Sequence, residues 1–136
     1  MQVIFLKNSV IYLIIFLVGG IGYGAIEIAF RGHTHWSMVL TGGSAFLSLY
    51  LIHMSFPNTT IYIKALLGMI VITLLELSVG IIVNIIFSLS VWDYSNLPFN
   101  FLGQISLLFS GCWYILSIFA FYLLDNIKPL TDLQKF

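Results

Sequence analysis

Glu76, Gly80 and Asn84 recur at four-residue intervals inside a run that is otherwise apolar from Ile61 to Ser90, apart from Lys64 near its start. On a helix this spacing puts a carboxylate, a gap and an amide in one row. An ionisable side chain in hydrocarbon costs about 2.5–3.5 kcal/mol on insertion scales, so Glu76 calls for a partner or a wet cavity. There it would bind a cation or exchange a proton, or, as a neutral acid, simply hydrogen-bond a neighbouring helix. The first apolar run has a related design: Gly20, Gly24 and Glu27 share a face and Arg31 follows Glu27 by one turn. An acid four residues before an arginine favours an ion pair. That pair either anchors the helix end at the membrane interface or leaves Arg31 to grip a carboxylate or phosphate.

A third concentration of chemistry is the nine-residue stretch from Trp92 to Asn100, which holds an acid, two asparagines, a serine, a tyrosine and a tryptophan. Such a stretch must cap a helix, line a cavity or lie at a membrane surface. Gln104 follows just inside the next apolar run, close in sequence to Asn100 and Asp93. The candidate solute-binding set is therefore Glu27, Arg31, Glu76, Asn84, Asp93, Tyr94, Asn100 and Gln104. His33 and His35 present an H-x-H pair, but no third histidine, cysteine pair or H-E-x-x-H motif stands beside them, so they read as interfacial histidines and no metal is expected. No nucleophile elbow, glycine-rich phosphate loop or Cys/His dyad occurs, so catalytic residues are unassigned and no cofactor is expected.

The elements that must position these residues follow from composition. The chain has 136 residues, 60% hydrophobic and only 7% charged, and its mean hydropathy is +1.08, far from the soluble norm of about a quarter charged. It reads as an integral membrane protein with the lipid bilayer as its solvent. Five basic and five acidic residues cancel, which removes any electrostatic footprint for nucleic acid. Crossing about 30 Å of hydrocarbon takes about 20 apolar residues as a helix. Four stretches qualify, near 10–30, 36–56, 61–90 and 101–124, followed by a short tail over 125–136. They are continuously apolar rather than alternating, which excludes a β-barrel. The expected fold is thus all-α: one domain over 1–136, a polytopic four-transmembrane-helix bundle. The run after Lys7 lacks a small-x-small cleavage site and reads as retained. Cys112 reads as a packing residue, and the small residues of the second and fourth helices (Thr41, Gly42, Gly43, Ser44 and Ser48; Gly103, Ser106, Ser110 and Ser117) as packing seams or pathway linings.

With four spans, Lys7, Lys64, Lys128 and Lys135 collect on one side and Arg31 alone on the other. The positive-inside rule then places the N and C termini in the cytoplasm, with the plasma membrane as the expected location. The Arg31 to His35 loop and the Trp92 to Asn100 stretch would meet on the outer face.

The Glu76-Leu-x-x-Gly80-x-x-x-Asn84 row, then Trp92-Asp-Tyr-Ser95, Pro98, Asn100, Gly103-Gln104-Ile105, Ser110 and Trp113, resembles the CmpB-like family of small membrane proteins labelled ABC-transporter type IV. Glu27, Arg31-Gly32 and Trp36-Ser37 are similar to it as well, so the likeness runs from about Gly20 to Leu124. It implies a polytopic helical protein with a proposed transport role, and a separate ATPase through the family label alone. It supplies no catalytic residues. Together these features point to a transporter component or solute-binding membrane subunit with a polar pocket in the outer half of the bundle. A homodimer or partner membrane subunits would complete it, since four helices enclose little space. An intramembrane enzyme acting on a lipid or lipid-linked substrate, and a non-catalytic assembly partner, are the alternatives.

Overall fold

Apolar side chains run almost unbroken through four segments of the chain, and in the computed structural model each segment is a helix. The structure describes the backbone of residues 2–126 and the side chains of 8–126. Residues 127–136, with Lys128 and Lys135, and the side chain of Lys7 lie outside the described residues; of the expected tail only Asp125 and Asn126 are described, and they close the last helix. The helices are α1 (Gln2–Arg31), α2 (Trp36–Ser55), α3 (Ile61–Gly80) and α4 (Leu107–Asn126). All are long and apolar enough to cross a membrane, and the fold is the expected all-α bundle. Large apolar side chains face outward all round it, among them Ile21, Leu74, Leu108 and Phe119. Exposed apolar surface on this scale fits hydrocarbon and not water.

Local chemistry sets the helix ends. Gly32 stops α1 in the left-handed region at φ 79°, its N–H closing on the Ile28 carbonyl at 2.9 Å. His35 then caps α2 through Nδ1, which accepts from the Ser37 N–H at 3.2 Å. Two boundaries depart from sequence expectation. The third helix does not run to Ser90; after Gly80 it widens into a π-helical turn over Ile81–Ile86 and ends there. The fourth begins at Leu107 rather than near 101, because β1 (Asn100–Phe101) and β2 (Ile105–Ser106) pair as a small antiparallel hairpin. Hydropathy alone does not separate these apolar turns from helix. The polar partners described below do.

A first core cluster draws on all four helices: Ile11 and Ile15, Leu49 and Tyr50, Ala65 and Ile72, and Phe121 and Leu124. A smaller one, Met38, Val83 and Trp92, lies under the segment that follows α3. At the first cluster's end of the bundle, the buried Lys64 ammonium donates to His53 Nδ1 at 3.0 Å and lies 5.2 Å from the centre of the Phe121 ring. His53 Nε2 is 3.3 Å from Asp125 Oδ1. This group ties α2, α3 and α4 together far from the residues singled out above.

The α1–α2 contact is built from glycine. A Cβ on Gly20 would come within 2.7 Å of the Val39 carbonyl oxygen, and one on Gly43 within 2.8 Å of the Phe16 carbonyl oxygen. Backbone therefore lies against backbone, as small residues in membrane helices permit. Gly24, the other half of the spacing noted in the sequence, has more room, with the nearest atom 3.4 Å away. The tight seam is Gly19–Gly20 against Gly42–Gly43. Gly43→Ala should cost about 1–3 kcal/mol through overpacking, read as earlier unfolding in a denaturing-detergent titration. Gly22→Ala, where an added Cβ meets nothing within 4 Å, should leave the midpoint in place. Equal midpoints for the two variants would contradict the seam.

Candidate functional site

The segment between α3 and α4 folds back over the end of the bundle, and amide side chains direct it there. In the π-helical turn, Asn84 uses both ends of its amide: Nδ2 donates to Gln104 Oε1 at 2.8 Å, and Oδ1 accepts from the Val91 N–H at 2.7 Å. Gln104 in turn donates from Nε2 to the Leu102 carbonyl at 2.9 Å, and its backbone carbonyl accepts from the Trp92 indole N–H at 2.9 Å. Gly80 makes room for this: a Cβ there would lie 2.7 Å from Gln104 Oε1 and 3.0 Å from the Trp92 ring. The Glu76, Gly80, Asn84 row thus has three separate tasks, and the glycine of the row is the seat for Gln104.

Four non-glycine residues of this segment, Ser88, Ser90, Phe99 and Leu102, occupy the left-handed region at φ 51–55°. Each costs about 1–2 kcal/mol, offset by a dense set of turn bonds. Asn100 Nδ2 donates to the Leu97 carbonyl at 2.8 Å, and its Oδ1 accepts from the Gly103 N–H at 3.1 Å. Asp93 Oδ1 accepts from the Ser95 N–H at 2.9 Å and from the Ser95 hydroxyl. The hydroxyl first, and then the N–H, hold the Asp93 carboxyl below its usual range, so it is ionised at neutral pH. The Tyr94 N–H closes the turn on the Gly103 carbonyl at 2.7 Å.

These turns aim Tyr94 at Glu76. Its hydroxyl lies 2.7 Å from Glu76 Oε1, while the Trp113 indole on α4 donates to Oε2 at 3.0 Å. Glu76 is only 2% exposed, and both of its oxygens are engaged by neutral groups. An indole N–H can only donate, whereas a phenol can donate to an ionised carboxylate or accept from a neutral acid. The same geometry therefore fits either charge state of Glu76. Burial, and after it the charge of Glu76, raise the Tyr94 phenol above its ordinary value and keep it protonated.

The other half of the site comes from the end of α1. Glu27, 7% exposed, accepts from Arg31 Nη1 at 3.1 Å, and Arg31 Nη2 donates to the Val91 carbonyl at 2.8 Å. The Arg31 to His35 loop and the segment after α3 do meet at one end of the bundle, and this guanidinium is the tie. Each terminal amino group of Arg31 spends one of its two N–H donors on these bonds.

A cavity of about 300 Å³ lies beneath this tie, lined by Tyr23, Glu27, Arg31, Met38, Trp92, Asp93, Tyr94, Phe109 and Trp113. Beside it a second polar cavity of about 340 Å³ shares Glu27, Arg31 and Met38 and adds His33, Thr34 and His35. The Thr34 hydroxyl, buried in its wall, has no hydrogen-bond partner. Of the eight sequence candidates, Glu27, Arg31, Asp93 and Tyr94 line the first cavity, and Glu76 is bonded to two of its wall residues. Asn84, Asn100 and Gln104 do not line it; their amides hold the covering segment in shape. Sequence reasoning missed Tyr23, Phe109 and the part played by Trp113. An indole N–H inside an apolar helix needs an acceptor, and that requirement was the available signal for Trp113.

No curated protein and no solved structure matches the chain. A family model does, over residues 1–133, and with four membrane-length helices and the polar end just described it leads to one assignment. The chain belongs to the ABC_trans_CmpB family, described as Putative ABC-transporter type IV.

Proposed function

We propose that the chain is a solute-binding membrane subunit of a transporter, with the cavity between Glu27, Arg31, Asp93 and Tyr94 as its binding chamber. The observation that carries this reading is Glu76: a carboxylate buried in a membrane-length helix, held by neutral donors alone and bonded to two residues of the chamber wall. A fixed cationic partner would hold Glu76 in its charged form, and Glu76 has none among the described residues. It is instead suited to gaining and losing charge, by proton exchange or by answering a cation in the chamber. Tyr94 and Trp113 hold it, and Tyr23, Glu27 and Arg31 stand on the chamber side. Arg31 acts as a tether: by joining Glu27 to the Val91 carbonyl it fastens the cover to α1. These 136 residues hold no glycine-rich phosphate loop, so an ATPase working with the subunit would lie outside them. A second copy or other membrane subunits would complete a translocation path around the four helices.

A thermal-shift screen of the purified protein against amino acids, organic cations and carboxylates tests the chamber. At least one class should stabilise the protein. Glu76→Gln, whose amide can accept from Trp113 and donate to Tyr94, should fold and lose that stabilisation by about tenfold in apparent affinity or more. The absence of any stabilising solute, or equal response from the variant, would contradict the reading. Turnover of added lipid would favour the enzyme alternative instead, and a change in oligomeric state without binding would favour the assembly role.

Orientation has its own test. With the covering segment outside and both termini in the cytoplasm, Asn96→Cys in a Cys112→Ala background should react with a membrane-impermeant maleimide in intact cells. Asn58→Cys, at the opposite end of the bundle, should react only after lysis. The reverse pattern would invert the topology.

A further inference from the structure

The chamber's lining and the apolar groove beside it point to a substrate class, and this inference rests on the solute-binding reading above. We propose that the site accepts an amphiphilic organic cation, with the charged centre in the aromatic chamber and the apolar part in the groove between α1 and α4.

Charge comes first. The Glu27 carboxylate is matched by Arg31, but neither Asp93 nor Glu76 has an arginine or lysine partner among the described residues. With these carboxylates ionised, the chamber region sums to negative. The Arg31 guanidinium already answers the Glu27 carboxylate and the Val91 carbonyl, so an incoming anion would compete with Glu27 for its charge.

The walls add a second preference. Tyr23, Trp92, Tyr94 and Trp113 all border a space of about 300 Å³, with the Tyr23 and Trp113 ring centres 5.7 Å apart. Aromatic faces attract a cation that has shed its water and ask for no hydrogen bond in return, which suits a quaternary or bulky organic cation over a metal ion.

The third feature is the groove. A cavity of about 340 Å³ with an almost wholly apolar lining runs between α1 and α4, and it shares Tyr23 and Trp113 with the chamber. The two helices do not pack extensively against each other. Val18, Ile26 and Leu123 on its rim are about half exposed, at 52%, 46% and 50%, so the groove faces the lipid. Gly22 lies on this lining, and a Cβ added there would meet nothing within 4 Å. The space is therefore open. The Tyr23 and Trp113 rings meet between chamber and groove, so an apolar group joined to a cation in the chamber would enter the groove by turning one of these rings aside.

The decisive comparison is tetraphenylphosphonium against tetraphenylborate, two probes of one shape and opposite charge, titrated by tryptophan fluorescence into protein held in lipid nanodiscs, with empty nanodiscs subtracted. The phosphonium should bind saturably and the borate at least about tenfold more weakly. Asp93→Asn should weaken the phosphonium through charge. Gly22→Leu should weaken it by filling the groove, with the chamber residues untouched. Equal or tighter binding of the borate, or phosphonium binding indifferent to Gly22→Leu, would overturn this substrate class. If the phosphonium fails while another solute of the panel binds and depends on Glu76, the chamber reading stands and this inference falls. If nothing binds, both fall.

Discussion

A carboxylate cannot lie bare among apolar helices, and the bonds that Glu76 makes to Tyr94 and Trp113 organise everything near it. One donor comes from α4. The other comes from the far end of a loop, 18 residues away in sequence, which must therefore fold down onto the bundle. That requirement accounts for the π-helical turn, the bonds of Asn84 and Gln104, and the strained backbone between Ser88 and Leu102. In hydrocarbon every polar group has to be satisfied from within the protein. Here one demand for satisfaction propagates through a whole segment.

The two ends of the bundle use their polar residues differently. At one end, Lys64, His53 and Asp125 form a closed chain of partners around Phe121, and charge is matched with charge. At the other, Glu27 and Arg31 match, but Glu76 and Asp93 have no cationic partner among the described residues, and space opens beside them. Matched charges make an anchor. Unmatched acids with aromatic walls and a cavity are what the proposed binding chamber rests on.

Much of this was legible in the sequence, for identifiable reasons. Continuous apolar runs gave the four helices because a bilayer imposes length and composition together. The four-residue rhythm of Glu76, Gly80 and Asn84 marked the face of α3 and its π-helical turn that meets the covering segment, and the meeting of the Arg31 loop with the Trp92 stretch followed from counting spans. What was not legible was the division of labour. Asn84, Asn100 and Gln104 looked like site residues because polar side chains beside a membrane are conspicuous, yet their partners are backbone groups and one another. Arg31 looked available because its carbonyl partner at Val91 lies 60 residues away. The helix boundaries near 86 and 107 were invisible to hydropathy, since Ile85, Ile86, Phe101 and Leu102 are as apolar as any helix interior. Tyr23 and Phe109 carried no sequence signal apart from being aromatic.

The account turns on whether Glu76 can exchange its proton through the chamber. Infrared difference spectroscopy across a pH series, comparing wild type with Glu76→Gln, reads this directly. The expected result is a protonated-carboxyl band that grows as pH falls, shifts promptly in deuterated buffer and is missing from the variant. A spectrum with no titrating band assignable to Glu76, or a band that ignores deuterium, would mean a sealed structural acid and would contradict the binding chamber.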